Sequence, residues 1–159
     1  MDSDISEIQV ACFRIGEDIY AVDIMRIKEI IRPQKLTALP KSPSFVEGVL
    51  NLRGAVIPVI DLRKRFDMPV HEIDQSRRLL IVSVARHALG IVVDEVTEVI
   101  SIPVANIKPS PQVARGGGAD YLVGVCLGQD SLIMLLNPDR LLTGRERAEL
   151  ARMDGTKTT

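Results

Sequence analysis

The chain is built from strand-length runs of Val, Ile and Leu that turn residues interrupt every few positions. VACFRIG, IYAVD, GVLNL, AVIPVIDL, LLIVSVA, LGIVVD, LVGVCLG and SLIMLLN are the clearest of them. Side chains branched at Cβ suit a pleated, half-buried surface, so the pattern predicts a mainly β fold. IGEDIY reads as a tight hairpin turned by Gly16, Glu17 and Asp18, and VARHALG reads as a second one. Helical signals are brief. Asp61 before LRKRF and Asn137-Pro138 before DRLL each read as an N-cap opening one or two turns. Thr143 and Glu146 have capping-box spacing ahead of RAELARM, which predicts a short C-terminal helix followed by a frayed DGTKTT.

The runs recur. Residues 11–31 lie without gaps over 80–100, and residues 45–66 over 121–142. Identities are few, among them Glu29 with Glu98, Ile31 with Ile100, Gly48 with Gly124 and Ile57 with Ile133. Of the 43 pairs, 20 are apolar on both sides, where random placement gives roughly 9. The excess implies two similar β lobes, each in the order hairpin, connector, hairpin, short helix. The connectors differ. Residues 32–44 hold three prolines and predict an extended surface crossing, whereas 101–120 are longer and end near the glycine run 116–118.

Composition removes several function classes. A net charge of −1 and a pI near 6.1 create no bulk field for phosphate backbones. Three Phe, two Tyr and no Trp leave little to stack on bases, so nucleic acid is disfavoured. The opening MDSDISE has neither the basic start nor the apolar run of a signal peptide, and SLIMLL falls far short of the ~20 residues of a membrane span. Cys12 and Cys126 sit inside apolar runs with no metal-ligand spacing, which predicts buried thiols in a reducing cytoplasm.

A catalytic constellation is missing from the sequence. His71 and His87 both read as solvated turn residues, no Ser stands in a nucleophile elbow, and the glycine run lacks the Lys-Ser or Lys-Thr of a phosphate loop. The expectation is a binding protein without a cofactor. In GVLNLRGAVIPVIDL, Gly54 supplies the positive φ of a hairpin turn and puts Arg53 at its tip. Such an arginine either closes a surface turn or presents its donors to a partner's carboxylate or carbonyls. VDIMRIKEII is the second candidate: Asp23 caps a short turn and apolar residues then fall on both sides of the alternation. That strand belongs either to an inter-lobe core or to a groove that accepts a partner helix.

The run Gly48-Val-x-Asn51-Leu52-Arg53-Gly54, followed by Pro58-Val59-x-Asp61-Leu62, resembles the motif of the CheW family of bacterial chemotaxis coupling proteins. FRIGEDIYAVDIMRIKEI and GIVVDEVTEVI carry the same likeness, which covers residues 8–143 and leaves 144–159 as a short helix and tail. The resemblance implies two intertwined five-stranded SH3-like β-barrel subdomains around a shared core, and no enzymatic activity. It implies a cytoplasmic adaptor, monomeric outside its array, that bridges the cytoplasmic hairpin tip of methyl-accepting chemoreceptors to the regulatory domain of the histidine kinase CheA. It further implies partner contacts at Ile27, Glu29, Ile30, Gly48, Arg53 and Val99, and a second kinase-contact loop at Lys108, Gln112 and Val113.

That loop departs from the family, whose members often carry an acid and an aromatic where this chain has Gln112 and Val113. Losing both removes a charge-assisted contact and a large apolar anchor, so weaker closure of the kinase–adaptor ring is expected. Other readings are the kinase's own regulatory domain, or an adaptor fused to a receiver. The 159-residue length speaks against both, because no ATP-binding or receiver-like segment accompanies the β lobes. A small β-barrel enzyme or nucleic-acid binder is opposed by the missing constellations. A CheW-like paralogue serving surface motility or development, rather than flagella, is the alternative within the family.

Overall fold

A computed structural model of the chain describes residues 6–69, 75–109, 121–128 and 131–155, the last five of these as backbone only. Ten strands are present: β1 (Glu7–Ile15), β2 (Asp18–Asp23), β3 (Ile27–Ile31), β4 (Val46–Leu52), β5 (Ala55–Asp61), β6 (Arg78–Val84), β7 (His87–Val93), β8 (Glu95–Pro103), β9 (Leu122–Leu127) and β10 (Leu132–Leu136). Among the described residues there are also two helices, α1 (Leu62–Arg65) and α2 (Gly144–Gly155), and single 3-10 turns at Ile24–Arg26, Val104–Asn106 and Pro138–Arg140. The strands form two five-stranded sheets, ordered β8-β1-β2-β10-β9 and β3-β6-β7-β5-β4. The fold is mainly β with two SH3-like subdomains, as expected.

The repeat is present, yet neither sheet is one repeat. Exchanging the repeats turns the first strand order into the second: β1 and β2 correspond to β6 and β7, β3 to β8, and β4 and β5 to β9 and β10. Each sheet therefore takes its first hairpin from one half of the chain and its other three strands from the other half. Both sheets place their one parallel pair at the same point, β2 against β10 and β5 against β7. The caps correspond as well. Asp61 accepts from Arg63 N at 2.9 Å at the start of α1, and Asn137 accepts from Asp139 N at 3.0 Å at the start of its 3-10 turn.

Burial explains the near-continuous apolar runs. On β6, Leu79 and Ile81 face the interior of one barrel with Leu50, Ile57 and Val59. The alternate residues Leu80, Val82 and Val84 join Phe13, Tyr20, Ile60, Ile91 and Leu141 in a core shared by both subdomains. A strand covered on both faces has no position to give to polar residues. The second barrel closes around Val10, Cys12, Cys126, Ile133 and Leu135, so both thiols are buried, as the sequence implied. Burial, with Glu98 nearby, pushes the Cys12 thiol up to about 11.

Two outcomes differ from the sequence reading. β3 and β8 are absent from the eight apolar runs because solvent-facing positions carry charged or polar residues, Lys28 on β3 and Thr97 and Glu98 on β8, with Ile30 and Val99 exposed beside them. β8 also continues to Pro103, pairing Gln9 with Ser101 and Glu7 with Pro103, so the segment read as a connector from 101 begins as strand. His71 and the glycine run 116–118 lie outside the described residues; His87 is exposed at the start of β7.

Buried charges tie the subdomains together. Arg63, 7% exposed, donates to Asp94 at 2.9 and 2.5 Å and to Pro69 O at 2.8 Å. Asp94 also accepts from Gly16 N at 2.8 Å, so α1 of one subdomain and the β1–β2 turn of the other share one carboxylate.

Candidate partner-binding surface

The β4–β5 hairpin turns on Arg53 (φ 50°) and Gly54 (φ 89°), both in the left-handed region of a type I′ turn. Glycine adopts that backbone freely, whereas an arginine there is sterically disfavoured. Asn51 Oδ1 accepts from Gly54 N at 3.1 Å and closes the turn, as the Asn-Leu-Arg-Gly order allows. The Arg53 guanidinium leaves the tip and donates to the Glu29 carboxylate of β3. Its side chain is 70% exposed while that of Glu29 is 33% exposed, so the pair is a surface feature with most of its cationic face open. The hydrogen bond and charge of Glu29 raise the arginine pKa further, keeping it cationic at every accessible pH.

The same β3 segment also exposes aliphatic side chains, Ile30 on the strand face opposite Glu29. Ile30 is 42% exposed and Met25, in the preceding 3-10 turn, is 84% exposed, while Ile27 packs against the shared core. Asp23 accepts from Met25 N at 2.9 Å, so the expected cap fixes how the chain enters β3. β3 is thus a sheet edge whose Ile27 and Ile31 pack on the core while Ile30 is exposed. Val99 stands on β8, the edge of the other sheet, where it is the counterpart of Ile30 and 51% exposed. Ile27, Glu29, Ile30 and Arg53 come together on one sheet; Val99 belongs to the equivalent place on the second.

Gly48 has a local reason to be glycine. Its φ is 142°, and a Cβ there would stand 2.4 Å from Thr37 O. Thr37 and Val49 exchange hydrogen bonds of 2.9 and 2.8 Å, which clamps the proline-rich connector onto β4. The repeat reproduces the device: a Cβ on Gly124 would lie 2.5 Å from Lys108 O, and Lys108 exchanges two 2.8 Å bonds with Val125. Lys108 is exposed, with Nζ donating to Ala105 O at 3.1 Å. Gln112 and Val113 lie outside the described residues.

One surface escaped the sequence reading. Val123, Leu127 and Leu132 are 50, 84 and 46% exposed on the β9–β10 hairpin, where β9 is the sheet edge. The period-two spacing of 123 and 127 was the available signal, hidden because LVGVCLG reads as apolar throughout. Among the described residues no group of three or more His, Cys, Asp and Glu could hold a metal ion, and no helix is long and apolar enough to cross a membrane.

Comparison with known proteins agrees with this architecture. Residues 9–146 match the model of the CheW-like domain. The chemotaxis protein CheW of Treponema pallidum is 34% identical over 151 residues, spanning 92% of this chain and 89% of that protein. Protein FrzA of Myxococcus xanthus is 37% identical over 145 residues, spanning 89% and 90%. Among solved structures, the scaffolding protein TtCheW from Thermoanaerobacter tengcongensis superposes with a TM-score of 0.81 at 30% identity, covering 92% of this chain and 94% of that one.

Proposed function

The chain belongs to the CheW-like family, and from that premise we propose that it is a non-catalytic adaptor coupling methyl-accepting chemoreceptors to the histidine kinase CheA. The observation that carries the reading is the Arg53–Glu29 pair, which joins an exposed hairpin tip to the edge strand β3, itself exposing Ile30. A cation with open donors on a sheet edge that also exposes an aliphatic residue suits a helical partner that presents a carboxylate or helix C-terminus together with an apolar side chain. The receptor tip, a helical hairpin, is such a partner. Ile27, Glu29, Ile30, Gly48, Arg53 and Val99 are proposed as the joint receptor and kinase surface. Lys108, Gln112 and Val113 are proposed as the second kinase contact.

An adaptor with no chemistry of its own activates a kinase only by binding its active arrangement more tightly than its inactive one. The protein is accordingly proposed to act in the cytoplasm and to be recruited to receptor arrays at the membrane, without a cofactor. A direct test mixes the purified chain with the CheA regulatory domain and with a receptor cytoplasmic fragment. Binding to both, weakened for the receptor by Arg53→Ala, is expected; failure to bind either one overturns the reading. A second reading, an adaptor in a surface-motility or developmental pathway, draws on the likeness to protein FrzA, whose name is not that of a chemotaxis protein. Deleting the gene and scoring swimming against surface spreading separates the two.

A further inference from the structure

A cleft of about 1080 Å³ opens where the 3-10 turn before β3, the end of α1, the β6–β7 turn and the first turn of α2 meet. Five arginines line it, Arg26, Arg65, Arg86, Arg140 and Arg147, against the two carboxylates Asp67 and Asp139. The ionisable lining is therefore formally +3 in a chain whose net charge is −1. Like charges gathered from five separate segments repel one another unless something negative joins them.

The internal partners do not supply that charge. Asp139 is already engaged by Arg26 at 2.5 Å, and Arg26 also donates to Ser83 O at 2.6 and 3.1 Å. Arg65 spends its Nε on Leu141 O at 2.6 Å and lies 4.8 Å over the Phe45 ring. Glu146, 3.6 Å from Arg65, is committed to the capping box through Thr143 N at 2.8 Å. Among the described residues the side chains of Arg86, Arg140 and Arg147 make no hydrogen bond or ion pair, and Arg147 Nε is buried with no acceptor. A buried donor left open is destabilising, and a bound acceptor recovers that loss. The first turn of α2 borders the same space at Thr143 and Gly144, and although Thr143 N already donates to Glu146 the positive end of the helix dipole still favours an anion there.

We propose that this cleft is a binding site for a phosphate-bearing anion, held by the guanidinium groups of Arg86, Arg140 and Arg147 over the pre-set Arg26 and Arg65. Planar guanidinium forks match phosphate oxygens two at a time, and the cleft has room for more than one phosphate group. The phosphate can come from a soluble anion or from a lipid headgroup. Neither requires the partner-binding surface around Arg53, which lies outside the cleft.

The test titrates the full chain with inorganic pyrophosphate by calorimetry and thermal melting, and separately sediments it with phosphatidylglycerol vesicles. Arg86→Glu and Arg140→Glu probe the cleft at exposed positions, and Lys35→Glu makes the same charge change on exposed surface elsewhere. Pyrophosphate is expected to raise the melting temperature, with affinity falling as salt rises. Each cleft variant is expected to lose at least about tenfold in affinity, the scale of one charge-assisted pair, while Lys35→Glu stays within about twofold. A vesicle response without a pyrophosphate response, lost in the same two variants, assigns the phosphate to a lipid headgroup. Silence to both probes, or equal losses in all three variants, overturns the proposal.

Discussion

Arg53 at the β4–β5 turn donates to Glu29 of β3, although β3 and β4 are the opposite edges of one five-stranded sheet. Laid flat, those edges would stand about 19 Å apart, beyond the combined reach of two side chains. The pair therefore spans the seam where the sheet curls into a barrel, and the left-handed Arg53 backbone aims the guanidinium across it. Because the arginine is exposed, its removal should cost the fold little and the partner contact much. Arg53→Ala is expected to melt within a few degrees of the parent protein while losing receptor binding in a pull-down. Arg53→Gly, free of the left-handed penalty, should melt no lower than Arg53→Ala and bind equally poorly. Glu29→Ala combined with Arg53→Ala should bind no worse than either alone if the pair acts as a unit. A melting loss comparable with a core deletion refutes the assignment.

Three glycines separate two physical costs. Gly54 has open space around its missing Cβ, so Gly54→Ala meets only its positive φ, at about 1–2 kcal/mol. Gly124→Ala meets the Lys108 carbonyl at 2.5 Å without a positive φ, and Gly48→Ala meets both a Thr37 carbonyl at 2.4 Å and φ 142°. Urea denaturation should rank Gly48→Ala as the most damaging of the three, with a loss of about 3 kcal/mol or more. Equal losses at Gly48 and Gly54 would mean that the connector lifts off β4 without cost.

Much of this architecture was legible because it is local. The apolar runs, the caps at Asp23, Asp61 and Asn137, and the turn at Arg53-Gly54 are each fixed by a few neighbouring residues. The equivalence of Gly48 and Gly124 in the self-comparison proved to be an equivalence of clamps. The exchange of hairpins between sheets was not legible from the repeat alone. A repeat says which segments are alike and leaves open which half supplies each sheet, a choice made by the shared core around Phe13, Leu80 and Ile91. The Arg53–Glu29 contact depends on barrel closure, and the arginine cleft on five segments meeting, so neither has a signature in sequence spacing.

Charge in the barrel interior should be decisive. Val59 is fully buried and Ile57 nearly so, both lining the barrel with Leu79 and Ile81. Val59→Asp and Ile57→Asp each strand a carboxylate without a partner, a penalty of several kcal/mol in a domain with about 5–15 kcal/mol to lose. Circular dichroism should show no cooperative melt for either. Val123→Asp, half exposed on β9, makes the same chemical change at a solvated position and should melt like the parent protein.

The Asp94 carboxylate gives the fold an acid limb whose sign follows from its surroundings. Burial alone would raise its pKa, but the hydrogen bonds from Arg63 and Gly16 N, with the charges of Arg63 and Arg14, outweigh burial and hold it below 3.8. The unfolded chain therefore takes up the proton more readily than the folded one. Stability from ionised Asp94 is fully present above pH 3.8 and is lost as pH falls through the lowered folded value. Asp61 titrates in the opposite sense, because burial outweighs the Arg63 N and Arg77 contacts and keeps its pKa above 3.8. The informative quantity is thus the difference between the parent protein and Asp94→Asn measured over pH, in which Asp61 cancels. That difference should be largest near neutrality and close as the pH drops below 3.8. Asp94→Ala at pH 7 should cost about 3–5 kcal/mol, since it leaves the buried Arg63 guanidinium without its counter-charge. Glu95→Ala removes a half-exposed carboxylate 3.3 Å from Arg14, and should cost no more than about 1 kcal/mol. Were the two alanine variants equally stable, the link between α1 and the β1–β2 turn would contribute nothing to holding the subdomains together.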